Sequence, residues 1–175
     1  MTLIEKYEQF LEKVSADPFD FRVYQHLKLF ENFNQAIAAH MEPWGSNKAG
    51  CLVCCWKEGP SMEEYPVIWL DSEGTPDCVF ADNTHTFFQL LPYGTGHLYD
   101  IIMGCERFVN NPGSFPSPEL SFSNSYAQLQ QNTKQVMQHY KEIMELEIAT
   151  DPARLMLSAY REHVAITQKI NESKL

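Results

Sequence analysis

The sequence predicts an α+β fold, a small, twisted, mostly antiparallel sheet with helices packed around it and a C-terminal helical pair. Three observations carry this expectation. Helical apolar spacing dominates both ends of the chain, three short strand-like runs occupy the middle, and glycine-bearing turns bound those runs. With 175 residues, 44% of them hydrophobic and 13% aromatic, the chain can bury a substantial core within one domain. Residues 1–110 supply helices and the sheet core in this reading, and residues 120–175 a helical extension.

Thr2 followed by Glu5 forms a capping box, because each side chain can satisfy the other's exposed backbone N–H. A helix therefore starts there, with Leu3, Tyr7, Phe10, Leu11 and Val14 on one side, and Asp17-Pro18 interrupts it. Val23, Leu27, Phe30, Phe33 and Ile37 predict a second helix over about residues 20–41, ending near Pro43-Trp44-Gly45. Residues 50–59, 65–71 and 76–81 read as strands, the last two joined by Asp71-Ser72-Glu73-Gly74, whose glycine suits a tight hairpin. Neither face of the middle run is polar, so helices must cover both. Asp82 or Asn83 caps a helix through Phe87, Phe88, Leu90 and Leu91 that stops at Pro92-Tyr93-Gly94, and a short helix follows over about 96–108. Three prolines and a glycine make residues 110–119 a loop. Two long helical patterns follow, roughly 123–148 and 151–171, the second capped by Asp151 with Pro152 in its first turn. Their apolar stripes suit an antiparallel pair packed on the sheet, with a partner or homodimer face as the alternative.

No apolar run approaches the roughly 20 residues of a membrane helix, and the N-terminus shows charge within an amphipathic pattern, unlike a signal peptide. A cytoplasmic location is the expectation. Five cysteines without a secretory signal read as reduced thiols. Twenty-three acidic against thirteen basic side chains give a formal charge of -10, which disfavours nucleic acid and acidic membrane surfaces. A charge-steered partner should be a basic protein.

Catalytic signatures are weak. In a strand, Cys51 and Cys55 point to one face and Cys54 to the other, and no second C-x-x-C or H-x-x-x-H completes a zinc set. Buried thiols are the expectation, with neither metal nor other cofactor. Asp82, His85, His97 and Asp100 can be drawn into an acid–base or metal-dependent hydrolase, yet no motif fixes their mutual distance. Gly94-Thr95-Gly96 lacks the remainder of either a P-loop or a dinucleotide fingerprint and reads as a helix stop. No catalytic residue is assigned, and the chain is read as a non-enzyme.

Acidic groups remain, with Glu63 and Glu64 before the middle strand, Asp71 and Glu73 in its turn, and Asp77 soon after. With Trp44 and Tyr65 as aromatic anchors, these are the candidate partner-binding residues, set against the alternative of a solvated rim. Over about residues 50–96 the chain resembles the SUKH superfamily, which includes fungal cell-wall synthesis regulators of the Smi/Knr type and many bacterial immunity proteins. The resemblance lies in Pro66-Val67-Ile68-Trp69-Leu70-Asp71, the Ser72-Glu73-Gly74 turn, Val79-Phe80-Ala81-Asp82, and the helix bearing Phe87-Phe88 and Leu90-Leu91. It implies an α+β fold that acts by protein binding without catalysis, most plainly an immunity protein that neutralises a basic toxin or effector domain. A regulatory or adaptor subunit assembling through its C-terminal helices is the third reading.

Overall fold

The three central strands form where alternation and glycine turns place them, and two further strands extend the sheet on one side. In the computed structural model, which describes residues 1–74, 76–129 and 132–174, the strands are β1 Arg22–Val23, β2 Met41–Ser46, β3 Leu52–Trp56, β4 Val67–Leu70 and β5 Cys78–Ala81. They pair antiparallel in chain order, so the sheet is a simple meander, and with the surrounding helices the fold is α+β as expected.

β3 shows how the sheet divides the core. Cys51, Val53 and Cys55 enter one apolar cluster with Val67, Trp69, Cys78 and Phe80, whereas Leu52, Cys54 and Trp56 enter the other with Ile68, Leu70 and Val79. The cysteines alternate as the strand geometry requires. The larger cluster is covered by helices α1 Leu3–Val14, α3 Thr84–Leu90, α4 Thr95–Asn110, α7 Lys134–Met144 and α8 Pro152–Glu162. At its centre the rings of Phe10 and Phe19 stack while Tyr140 meets both edge-on, and the Tyr140 hydroxyl donates to the Phe88 carbonyl. Each such buried side chain contributes about 1.5–3 kcal/mol, so this face dominates stability. The smaller cluster is closed by helix α9 Val164–Glu172, through Ile166 and Ile170, and by Phe33 with Leu27, Phe30 and Ile37 beside it.

That last group corrects the helix expected over residues 20–41. The chain instead makes β1, a run of turns, the single helical turn α2 Gln35–Ala38 and then β2. The apolar residues at helical spacing are real core residues, but they lie along an irregular strap over the second face of the sheet. Asn34 restarts the helical pattern by accepting the Ile37 N–H on its side chain. Pro43 and Gly45, which look like loop residues, flank a register shift inside β2. Glycine is required at position 45 because an added Cβ would lie 2.1 Å from the Phe21 ring.

Helix starts follow their caps. The Thr2–Glu5 capping box forms, Asn83 rather than Asp82 caps α3, and Asp151 accepts the Arg154 N–H to start α8. The tail helices are shorter than expected. In place of 123–148 stand the single turn α6 Tyr126–Leu129 and α7, and the 151–171 pattern breaks at His163 into α8 and α9. The main neighbour of α7 is α1, whereas α8 lies on β5 and α4, and α9 on β5, so the stripes are spent on the sheet and its covering helices. Residues 111–117 are irregular and lead into the single turn α5 Pro118–Ser121.

Both sheet edges are blunted. On β5 the Val79 N–H donates to the Thr167 hydroxyl of α9, 3.1 Å away. The opposite edge consists of two-residue β1 and the start of β2, where Pro43 has no N–H to offer.

Candidate functional site: an acidic cleft at one end of the sheet

A meander sends successive connections to opposite ends of its strands. The β4–β5 turn (residues 71–77) therefore shares an end with the β2–β3 turn (47–51), while the β3–β4 connection (57–66) lies at the other. Tyr65 and Asp71 are separated by about 20 Å of extended chain. The expected partner-binding residues consequently fall into two groups, with Glu63, Glu64 and Tyr65 at the connection end and Asp71, Glu73 and Asp77 at the turn end.

Three of those residues are not on the surface. Trp44 is 3% exposed and packs edge-on against Phe21 and Phe87, which makes it a core residue. Asp71 is 6% and Asp77 2% exposed, because both carboxylates fold into the turn. Asp77 accepts the Asp71 backbone N–H on Oδ1 at 2.8 Å and pairs through Oδ2 with Lys174 Nζ at 2.9 Å. Lys174 also donates to the Gly74 carbonyl, and the Asn171 amide donates to the Asp77 carbonyl at 2.9 Å. Burial pushes the Asp77 carboxyl up from its ordinary value, while Lys174 and the Asp71 N–H pull it back down. Asn171 and Lys174 thus fasten Gly74 and Asp77, and Gly74 takes the positive φ of 90° that the sequence anticipates. Glu63, Glu64 and Glu73 are exposed and Tyr65 is half-buried.

Beside the fastened turn is a cleft of about 360 Å³. Asp20, Cys51, Trp69, Asp71, Glu73 and Tyr99 are among the residues that line it. The Cys51 thiol donates to Asp71 Oδ1 at 3.3 Å, and burial pushes that thiol up. Asp20 holds Lys48 Nζ at 3.6 Å, and the Thr95 hydroxyl donates to the Asp20 carbonyl at 3.1 Å. Desolvation and the nearby Asp71, Cys51 and Glu73 raise the Tyr99 hydroxyl. On the other side of the turn, Glu31 and Asn32 face Glu73 and Gly74 across a second hollow. Around this end lie five carboxylates, those of Asp20, Glu31, Asp71, Glu73 and Asp77, and among the described residues they are met by two ion-paired lysines, Lys48 and Lys174.

The acid–base set does not assemble. Asp82 Oδ1 lies 3.3 Å from His163 Nε2, between α8 and α9. Burial and Glu162 raise its carboxyl, with His163 opposing. His97 Nε2 lies 2.9 Å from Ser125 Oγ, an arrangement that invites comparison with a serine–histidine nucleophile. The single Ser125 hydroxyl proton, however, goes to the Phe122 carbonyl at 2.6 Å, so His97 is the donor to Ser125 and cannot act there as its base. Burial lowers the His97 imidazole, with Asp100 opposing. His85 and Asp100 are exposed. The five cysteines are buried free thiols, with Cys55 and Cys105 pushed up to about 12 by burial. Among the described residues, no group of three or more His, Cys, Asp or Glu is placed to hold a metal ion, and no helix is long and apolar enough to cross a membrane. Gly94-Thr95-Gly96 is the junction into α4, where Gly94 adopts a positive φ of 82°.

Asp20, Cys51, Tyr99 and Lys174 are the members of the cleft and its support that sequence reasoning missed. Lys174 carries no local signal, because its partner lies 97 positions away. No protein-family model, curated protein or solved structure matches the chain.

Proposed function

We propose that this chain is a non-catalytic protein-binding module of the SUKH-like kind, an immunity protein that neutralises a basic toxin or effector domain. The observation that carries the reading is the turn end of the sheet, where carboxylates gather beside a cleft and Asp77 is bonded to the Asp71 N–H and Lys174. Charge of one sign on a fixed frame speeds encounter with a partner of the opposite sign and fixes its orientation. The blunted sheet edges argue against recognition by strand addition, which leaves the ends of the sheet as the docking surface. The residues on which the SUKH resemblance rests lie in and around β4, β5 and α3. Pro66-Val67 opens β4, Gly74 turns the hairpin, Ala81 ends β5, and Phe87, Phe88 and Leu90 are the buried face of α3. The hydrolase reading draws no support, since Asp82 is engaged by His163 and His97 by Ser125.

The test is affinity capture with the tagged protein from its native cell lysate at low and moderate salt. A basic partner should be retained at low salt, released as salt rises and lost with E73K, but kept with E63K/E64K. Capture indifferent to salt and to E73K would remove the acidic end as the docking site.

A further inference from the structure

Resting on the protein-binding reading, we infer that the cleft between the β2–β3 turn, the β4–β5 turn and the start of α4 receives an arginine side chain of the partner. Asp71 pairs with its guanidinium, and Tyr99 supplies the ring along which it lies.

Asp71 is the reason to expect a cation. The residue is 6% exposed, and the described hydrogen bond to its side chain comes from the Cys51 thiol, a weak donor. A buried carboxylate is normally met by a cation or by several strong donors. Both lysines at this end are engaged elsewhere, Lys48 with Asp20 and Lys174 with Asp77. Trp69 also lines the cleft, and among the described residues its buried indole N–H has no hydrogen-bond partner.

The choice of arginine follows from shape. A metal would need converging ligands that the described residues lack. A lysine ammonium is a strongly hydrated point charge, costly to bring into a cleft of about 360 Å³ walled partly by aromatic rings. A guanidinium is planar, more weakly hydrated, able to bond a carboxylate with two parallel N–H groups and to stack on a ring. Tyr99 is half-buried, with its ring centroid 6.2 Å from that of Trp69, so it offers such a surface at the mouth. Glu73, exposed in the turn above, adds attraction without needing to touch.

The experiment requires no identified partner. The full chain is titrated with acetyl-Gly-Arg-Gly-amide and, in parallel, with the lysine peptide and the neutral citrulline peptide, while the Trp69 indole resonance is followed by NMR. The expected result is saturable binding of the arginine peptide that shifts Trp69. Citrulline should bind at least about tenfold more weakly, as should the arginine peptide to D71N, a loss that corresponds to one charge-assisted hydrogen bond. Because Asp71 is buried, Y99L gives a second variant at a half-exposed position, with an expected loss of about threefold. No shift of Trp69, equal binding of citrulline, or unchanged affinity in both variants would overturn the inference. Capture of a basic partner that depends on Glu73 and salt would survive any of those results, so the two readings fail separately.

Discussion

The two ends of the sheet both carry acidic residues, yet they are built differently. At the connection end Glu58, Glu63 and Glu64 are exposed, and among the described residues none takes an ion pair. At the turn end Asp71 and Asp77 are withdrawn into a network that reaches the last residues of α9 and Lys174. Solvated carboxylates cost nothing to keep and discriminate little, because water screens them and their rotamers move. Carboxylates fixed by burial carry a desolvation cost, and they present charge in one direction. The difference teaches that an acidic composition alone does not locate a binding surface, whereas the connectivity of the acids does.

The largest expected effect tests that contrast through stability. D77A removes the acceptor of the Asp71 N–H and the counter-charge of Lys174 together, so it should cost about 3 kcal/mol in urea unfolding. E63A/E64A should stay within about 0.5 kcal/mol of the parent. Equal effects would mean that the turn end is no more structured than the other.

A smaller effect sharpens the same comparison through pH. Burial holds the Asp77 carboxyl above its ordinary 3.8, so the native state keeps its proton more tightly than the unfolded chain does. The corresponding stability is fully present below 3.8 and is lost as pH rises through the native value. Lys174 opposes this loss. K174M should therefore destabilise by about 2 kcal/mol near neutral pH, with the deficit shrinking as the pH approaches the ordinary carboxyl value. A deficit independent of pH would show that Lys174 acts through its packing and its bond to Gly74 alone.

The parts of this contrast legible in the sequence are local ones. Alternation, the Gly74 turn and the Phe87-Phe88 pattern were enough to place β3, β4, β5 and α3, since each signal sits within a dozen residues of the structure it specifies. The segment 20–41 misled because a strap across a sheet and an amphipathic helix both bury a residue every three or four positions, and long-range contact with α9 decided between them. Strand β2 was hidden by Pro43 and Gly45, whose roles at a bulge and beneath the Phe21 ring appear only once the neighbours are in place. The acidic residues of the turn were identified as a group, but not which of them are buried. Burial there depends on Lys174 and Asn171, which no spacing rule connects to residue 77.

The smallest expected effect uses two thiols on one face of one strand. Cys51 lies at the turn end against Asp71, and Cys55 at the connection end, with its thiol 4.0 Å from the Met62 carbonyl. Burial lifts Cys55 to about 12, which lowers its thiolate fraction roughly a thousandfold relative to an ordinary thiol, so alkylation there waits for unfolding. Cys51 is also raised and almost fully buried, but it lines the cleft and has a route to solvent. Iodoacetamide at mildly alkaline pH, followed by mass spectrometry, should label Cys51 several-fold faster than Cys55, and the arginine peptide should slow Cys51 alone. Equal rates would mean that both ends open only when the whole domain unfolds, and the cleft would then be too closed to admit a side chain. Selective protection of Cys51 would place a bound guanidinium beside Asp71 by a measurement that owes nothing to charge reversal.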